Sequence, residues 1–281
     1  GHPEHHGLSE RVEDHELPHD TNILREIAAA RSYNGLNHVH TVDYSDGSNC
    51  IYELVNDAVG MGVEYLGFTD HVDASGFVRD EPGFYGNGVF SDPESLEMAI
   101  EEHVNSEDKK RFPRGDTFDV YLAKGAEVDY DVNSEDDIRD FIAENNFDYI
   151  LLSVHHDAEG NNFGSKNNFG PTINESGKVE EYFNLLEHAA ELADDIPEVK
   201  AIAHFDRIES NPLFADYVES GMYNEFLDEV ERYNVLPEFN TKTFMRSILN
   251  NGHPTIGSEV LLNRDIPKSG GTDTHRVGNS S

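Results

Sequence analysis

Tyr149–His156 reads YILLSVHH: a short apolar run, Tyr149–Val154, followed by a pair of histidines. Four to eight such residues without helical spacing fit a strand buried on both faces. Strand alternation sends His155 to the same side as Leu151 and Ser153, and His156 to the other. Six further runs follow the same pattern: Gly35–His40, Tyr65–Thr69, Val120–Glu127, Val199–His204, Val235–Phe239 and Lys268–Thr272. Amphipathic stretches lie between them. Ile51–Met61 repeats Ile51, Leu54, Val55, Ala58 and Val59 at helical spacing. Ser134 is placed to cap Glu135–Asn145, and Val179–Leu192 lines up Phe183, Leu186 and Ala190. Strands alternating with helices imply parallel βαβ units, and seven of them fit a closed or nearly closed barrel. An open doubly wound sheet is the alternative, but no Gly-rich phosphate turn follows the first strand. The expected class is therefore α/β, a distorted seven-stranded (β/α) barrel.

The carboxyl ends of these strands carry the chemistry. They read His38-Val39-His40 with Asp46 beyond, Thr69-Asp70-His71, Gly125-Ala126-Glu127, Ser153-Val154-His155-His156, Ala203-His204, Glu238-Phe239-Asn240 and Thr272-Asp273-Thr274-His275. A lone His-x-His or Asp-His pair is as readily a packed or solvated feature as a ligand pair. Their coincidence on one edge is different, because the carboxyl face of a parallel barrel is where sites are built. Imidazole with carboxylate suits zinc, manganese or iron better than calcium or magnesium. Nine such groups exceed what one ion needs, so two or three divalent ions are expected. Two long connections follow histidine-bearing strand ends, Val72–Asp92 and Asp157–Gly177, and read as lids or binding loops; a third, Ser106–Asp116, is charged.

Composition bounds the partners. The 281 residues hold 56 acidic and 20 basic side chains, a formal charge of −36. Such a field repels long nucleic acid and anionic membrane surfaces. No run of about 20 apolar residues exists to cross a bilayer, and no apolar leader opens the chain. One cysteine, Cys50, excludes an intramolecular disulfide and fits a cytoplasmic setting. Only eight lysines and evenly spread acids suggest a halophilic, salt-screened surface, with an ordinary strongly acidic protein as the alternative. Residues 1–21 are polar and hold five of the fifteen histidines, reading as a flexible tail; residues 22–281 read as one domain. Nothing in the sequence addresses oligomeric state.

Taken together, HVH…D, TDH, GAE, SVH, AHFD and GTDTH resemble the polymerase and histidinol phosphatase (PHP) family of metal-dependent phosphoesterases. The resemblance runs from about Asn37 to the end, and AHFDR, SVHH and EFNT are similar to the histidinol phosphatase branch. It implies a trinuclear centre: His38, His40, Glu127 and Asp273 around one ion, Asp46, His71 and His275 around a second, and Glu127 with His155 and His204 around a third. Glu127, Asp273 and His275 would be central to catalysis, with Arg207 and Arg276 as phosphate clamps. Asp70 and Asp206 are expected to orient imidazoles rather than bind metal. The chain ends six residues after His275, where the family usually continues for another strand and helix, which implies a shortened C-terminus or a different closure. The implied activity is hydrolysis of a small phosphate monoester, L-histidinol phosphate above others, by water that the metals acidify. Alternatives are a PHP-type esterase for nucleotides or short oligonucleotides, an amidohydrolase, and a non-catalytic metal-binding module. The amidohydrolase fits poorly, since Glu127 and two histidine strands stand where that family places a modified lysine.

Overall fold

The computed structural model describes residues 35–61, 65–105 and 121–275. The expected tail, the connection 106–116 and Arg276 lie outside these residues. In chain order the elements are β1 (Gly35–Val39), α1 (Ile51–Met61), β2 (Tyr65–Phe68), β3 (His71–Asp73), β4 (Gly83–Gly86), β5 (Val89–Ser91), α2 (Pro93–Asn105) and β6 (Tyr121–Asp129). Then follow α3 (Glu135–Glu144), β7 (Tyr149–Ser153), α4 (Glu175–Asp195), β8 (Val199–Ile202), α5 (Ser220–Val230), β9 (Leu236–Asn240), α6 (Thr241–Asn251), α7 (Ile256–Leu262) and β10 (Ser269–Gly271).

The fold is mixed α/β around one central sheet. Strands run in the order β10-β9-β8-β7-β6, all parallel, and the long β6 then takes β2 beside its first half and β3 beside its second. Tyr65 faces Tyr121 and His71 faces Glu127, so β2 and β3 are one strand interrupted at Thr69-Asp70. β1 lies parallel to β2, and the antiparallel β4–β5 hairpin extends from β3. The hairpin occupies the stretch read from sequence as a Gly-rich connection.

The sheet does not close as a continuous ladder. β1 and β10 meet through one bridge, Val39 with Thr274, and two backbone hydrogen bonds, His40 N to Thr274 O and Thr274 N to His38 O. The reason is local. β10 has three residues, and after Gly271 the chain leaves the ladder; Asp273 has a left-handed backbone (φ 48°).

Alternation along each strand separates two faces. Ile150, Leu152, Val154, Ala126, Val128, Ile202 and Phe239 join the large core under the helices, together with Leu54, Val55 and Ala58 of α1 and Val179, Phe183, Leu186 and Ala190 of α4. The other face carries a smaller cluster: Ala123, Tyr149, Leu151, Ala201 and Ala203. This interior is narrow. A Cβ on Gly67 would lie 1.9 Å from the Tyr149 hydroxyl, which donates to Asn37 O. Farther along the same face, towards the carboxyl ends, small apolar residues give way to Glu127, Asp129, His155 and Glu238. Ser134 stands before α3 as expected, but its hydroxyl donates to Asp131 rather than capping the helix.

Candidate metal centre

Glu127 is the hub. It is fully buried at the end of β6, and its two oxygens look in different directions. Oε1 lies 2.7 Å from His38 Nε2 and 3.1 Å from His204 Nε2, while Oε2 lies 2.6 Å from His71 Nδ1 and 3.6 Å from His155 Nε2. Asp273 Oδ1 stands 3.2 Å from His40 Nε2 and 3.5 Å from His38 Nε2. Asp46 Oδ1 stands 3.0 Å from His275 Nε2 and 3.4 Å from His71 Nε2. All nine side chains singled out from the sequence thus meet in one cluster. Four ligand-like groups can be drawn in it: His40, Asp46, His71 and His275; His71, Glu127, Asp129 and His155; His38, His40 and Asp273; and His38, Glu127 and His204.

Buried carboxylates fix the imidazoles from behind. His38 Nδ1 donates to Glu238 Oε2 at 2.6 Å and His155 Nδ1 to Asp129 Oδ1 at 2.5 Å, which turns both Nε2 atoms inward. There His38 Nε2 lies 3.1 Å from His40 Nε2, and His155 Nε2 lies 3.2 Å from His204 Nε2. Glu238 also accepts from the His204 amide, and Gly271 leaves it room, since a Cβ there would fall 2.0 Å from its carboxylate. Tyr85, on the hairpin, donates to the other oxygen of Asp129. His204 (φ 25°) and Asp273 (φ 48°) both hold left-handed backbones, strain of the kind that gathers at functional sites.

The electrostatics call for positive charge at the centre. Burial would raise Glu127, but His71, His204, His38 and His155 hold it well below the usual carboxylate range. Asp273 is likewise depressed against its burial, by His38, His40 and Lys242. Burial alone would lower His38 and His71; the surrounding carboxylates, Glu238 first for His38 and Glu127 first for His71, carry both well above 6.5. Burial and the neighbouring His71 instead bring His40 down to about 3, and burial brings His155 to about 4 despite Asp129. Asp46 Oδ1, His71 Nδ1, Glu127 Oε2 and His204 Nδ1 are buried without a partner in hydrogen-bond geometry. Inward imidazole nitrogens, carboxylates demanding charge and unsatisfied buried atoms are a donor set that fits divalent cations.

Other expected residues fall differently. Arg207 begins a short 3₁₀ turn and brings Nη1 to 3.4 Å from His155 Nε2, whereas Arg276 lies outside the described residues. The side-chain hydrogen bonds of Asp70 and Asp206 go to hydroxyl and amide groups rather than to an imidazole. Asp70 accepts from Thr41 and Ser45, and burial raises it to about 7; Asp206 accepts from Thr255 and Ser258. Asp70 reaches His40 only through the Ser45 hydroxyl, 3.5 Å from its Nδ1. His156 is in none of the ligand-like groups, and its Nδ1 lies 3.9 Å from Asp129 Oδ2. Cys50 is half-exposed rather than buried.

Sequence reasoning gave no role to Asp129, Tyr85 and Lys242, and named Glu238 only as part of a strand end and of the EFNT run. The first was legible, since alternation from Glu127 puts Asp129 on the same face. Lys242, in the first turn of α6, places its ammonium 2.7 Å from His275 Nδ1 and 3.5 Å from Asp273 Oδ1.

The family model of the PHP domain matches residues 37–242. The chain belongs to the PHP family. No curated protein sequence matches it. Among solved structures, this PHP chain is similar to the histidinol phosphate phosphatase of Lactococcus lactis subsp. lactis Il1403, determined with Zn, L-histidinol and phosphate. The TM-score is 0.60 at 19% identity, over 86% of each chain. At that identity the likeness speaks for the fold. Asp273 and His275 lie beyond the segment that the PHP model matches, and β10 and the residues after it bring them back to the cluster. Among the described residues no helix is long and apolar enough to cross a membrane.

Proposed function

We propose that this PHP-family chain is a metal-dependent phosphate monoester hydrolase whose preferred substrate is L-histidinol phosphate. The observation that carries the reading is the convergence of six histidines with Asp46, Glu127 and Asp273 in one cluster inside a PHP domain. In this reading His38, His40, Glu127 and Asp273 hold one divalent ion; Asp46, His71 and His275 hold a second; Glu127, His155 and His204 hold a third. Zinc, manganese or iron in two or three positions suits that donor set. Bound there, such ions supply Lewis acidity toward phosphate oxygens and acidify water.

The chain's own residues do the rest. In this reading Glu127, Asp273 and His275 are the catalytic groups, and Arg207 and Arg276 are the clamps on phosphate oxygens. Glu238 and Asp129 keep the Nδ1 protons of His38 and His155 in place, so that both rings present Nε2. The Val39–Thr274 bridge is read as the seam of a distorted seven-stranded barrel. Histidinol phosphate is favoured by the AHFDR, SVHH and EFNT runs, by the ligands named for the Lactococcus lactis structure, and by the fit of a cationic amine to an acidic surface.

The test is phosphate release from L-histidinol phosphate in high KCl, with manganese or zinc and with chelator, beside AMP and an aryl phosphate. Chelator-sensitive preference for histidinol phosphate is the expected result. Turnover of the controls alone would keep the phosphatase and discard that substrate. No turnover with metals bound would favour a non-catalytic metal-binding module.

A further inference from the structure

α6 starts where β9 ends, at Asn240, and its second residue is Lys242. A lysine in the first turn opposes the helix dipole, so helix formation does not favour it there. Surface carboxylates are abundant in a chain with 56 acids, yet this ammonium turns inward, and its side chain is only 28% exposed. It stands 2.7 Å from His275 Nδ1 and 3.5 Å from Asp273 Oδ1. The charges of Arg246 and Arg207 bear on the same spot, and Arg207 also reaches the cluster from the His155 side. Lys242 and Arg207, two of the chain's twenty cations, therefore stand at a cluster otherwise built of histidine and carboxylate. An anion bound at the cluster meets positive charge from both.

His275 shows how the ammonium becomes available. Its Nδ1 has three neighbours: Lys242 Nζ, the Asp273 carbonyl oxygen at 2.9 Å and Asp273 Oδ1 at 3.2 Å. When Nε2 serves as a ligand, Nδ1 carries the proton and donates to Asp273, and Lys242 loses its acceptor on the ring.

We propose that Lys242 is a substrate-contacting residue that donates a charge-assisted hydrogen bond to a non-bridging oxygen of the phosphoryl group, with Arg207 reaching the same group from the His155 side. The inference deepens the phosphomonoester reading and rests on it for the identity of the substrate. No covalent step is involved.

The experiment is titration calorimetry of inorganic phosphate into the metal-loaded full chain, for wild type, Lys242→Met and Lys242→Arg. Metal per chain and helix content are measured on each sample. Loss of one charge-assisted hydrogen bond predicts phosphate affinity weakened about 10- to 100-fold in Lys242→Met, with part recovered in Lys242→Arg and metal content unchanged. Three results would overturn the proposal: wild type that binds no phosphate, equal affinity in wild type and Lys242→Met, or weaker binding explained by metal lost from Lys242→Met. The last would make Lys242 a support for His275. If Lys242→Met does not fold, Lys242→Arg decides: a changed affinity with intact metal supports the contact, and an unchanged one overturns it. Ester turnover by wild type is run alongside. Phosphate bound through Lys242 without turnover of any ester would sink the phosphatase reading and leave this contact standing.

Discussion

Asp129 illustrates what a single residue does at this cluster. It holds the Nδ1 proton of His155 through one oxygen and accepts from Tyr85 through the other, and His155 keeps it ionised at about 2 although burial pushes the other way. Asp129→Asn keeps the shape and removes the charge behind the ring. Loss of such an outer partner predicts metal affinity weakened about 10- to 100-fold with helix content preserved. Competition against a chromophoric chelator measures it, and unchanged affinity would reduce Asp129 to a packing residue. Metal removal has its own consequence at this scale. Glu127, Asp273 and Asp46 are all held below their usual range by imidazoles, so cations bound to the folded cluster stabilise the native state by mass action. Chelation should lower the thermal midpoint by about 5 °C or more, reversibly on re-addition of zinc or manganese. A midpoint indifferent to chelator would mean that the cluster holds no ion. The strand-end histidines were legible because each falls at the close of an apolar run. Lys242 and Tyr85 were not, because a lysine in a helix's first turn and a tyrosine in a Gly-rich stretch carry no periodic signal.

Among the elements, seven of the parallel strands could be read from the chain to within two residues at each end, since buried strands leave apolar runs whatever closes around them, but β3, the continuation of β2 past Asp70, could not. The β4–β5 hairpin could not. Gly83-Phe84-Tyr85-Gly86 and Val89-Phe90-Ser91 are short, glycine-flanked and half-exposed, so alternation is too brief to separate them from a loop. Closure was equally hidden, because whether β10 pairs with β1 depends on the path after Gly271 rather than on any hydrophobic pattern. Gly67 tests the narrow face of β2, β6 and β7. An added Cβ meets the Tyr149 hydroxyl and ring, and that ring is held by its hydrogen bond to β1. Gly67→Ala should therefore cost about 1–3 kcal/mol, a fall of roughly 3–10 °C in the thermal midpoint. A midpoint within 1 °C of wild type, on this scale, would mean that Tyr149 yields and the interior is looser than drawn.

Over the whole molecule, charge is the feature with the widest reach. A net −36 sets carboxylate against carboxylate wherever helices meet, and α4 against α5 is one such place. Glu187 of α4 is pushed above the usual glutamate range by its burial and then by Glu229 and Glu225 of α5, with His188 opposing. A carboxyl raised in this way contributes stability that is fully present below the pKa of the unfolded chain and is lost as pH rises through the folded value. At neutral pH its ionised form therefore opposes folding. Glu187→Gln removes that repulsion and should raise the thermal midpoint by about 1–2 °C at pH 7 in low salt. Near pH 4 the gain should shrink, because wild-type Glu187 is then largely protonated in the folded state. Molar KCl should shrink it too, since at a Debye length of about 3 Å the facing carboxylates no longer feel one another. The same screening predicts that wild type itself gains stability as KCl rises from 0.1 to 2 M, the behaviour of a salt-adapted surface. Thermal melts of both proteins across that series measure the two effects together. A Glu187→Gln gain that persists undiminished in 2 M KCl would assign it to packing, and a wild-type midpoint flat across the series would remove the halophilic reading of the charge.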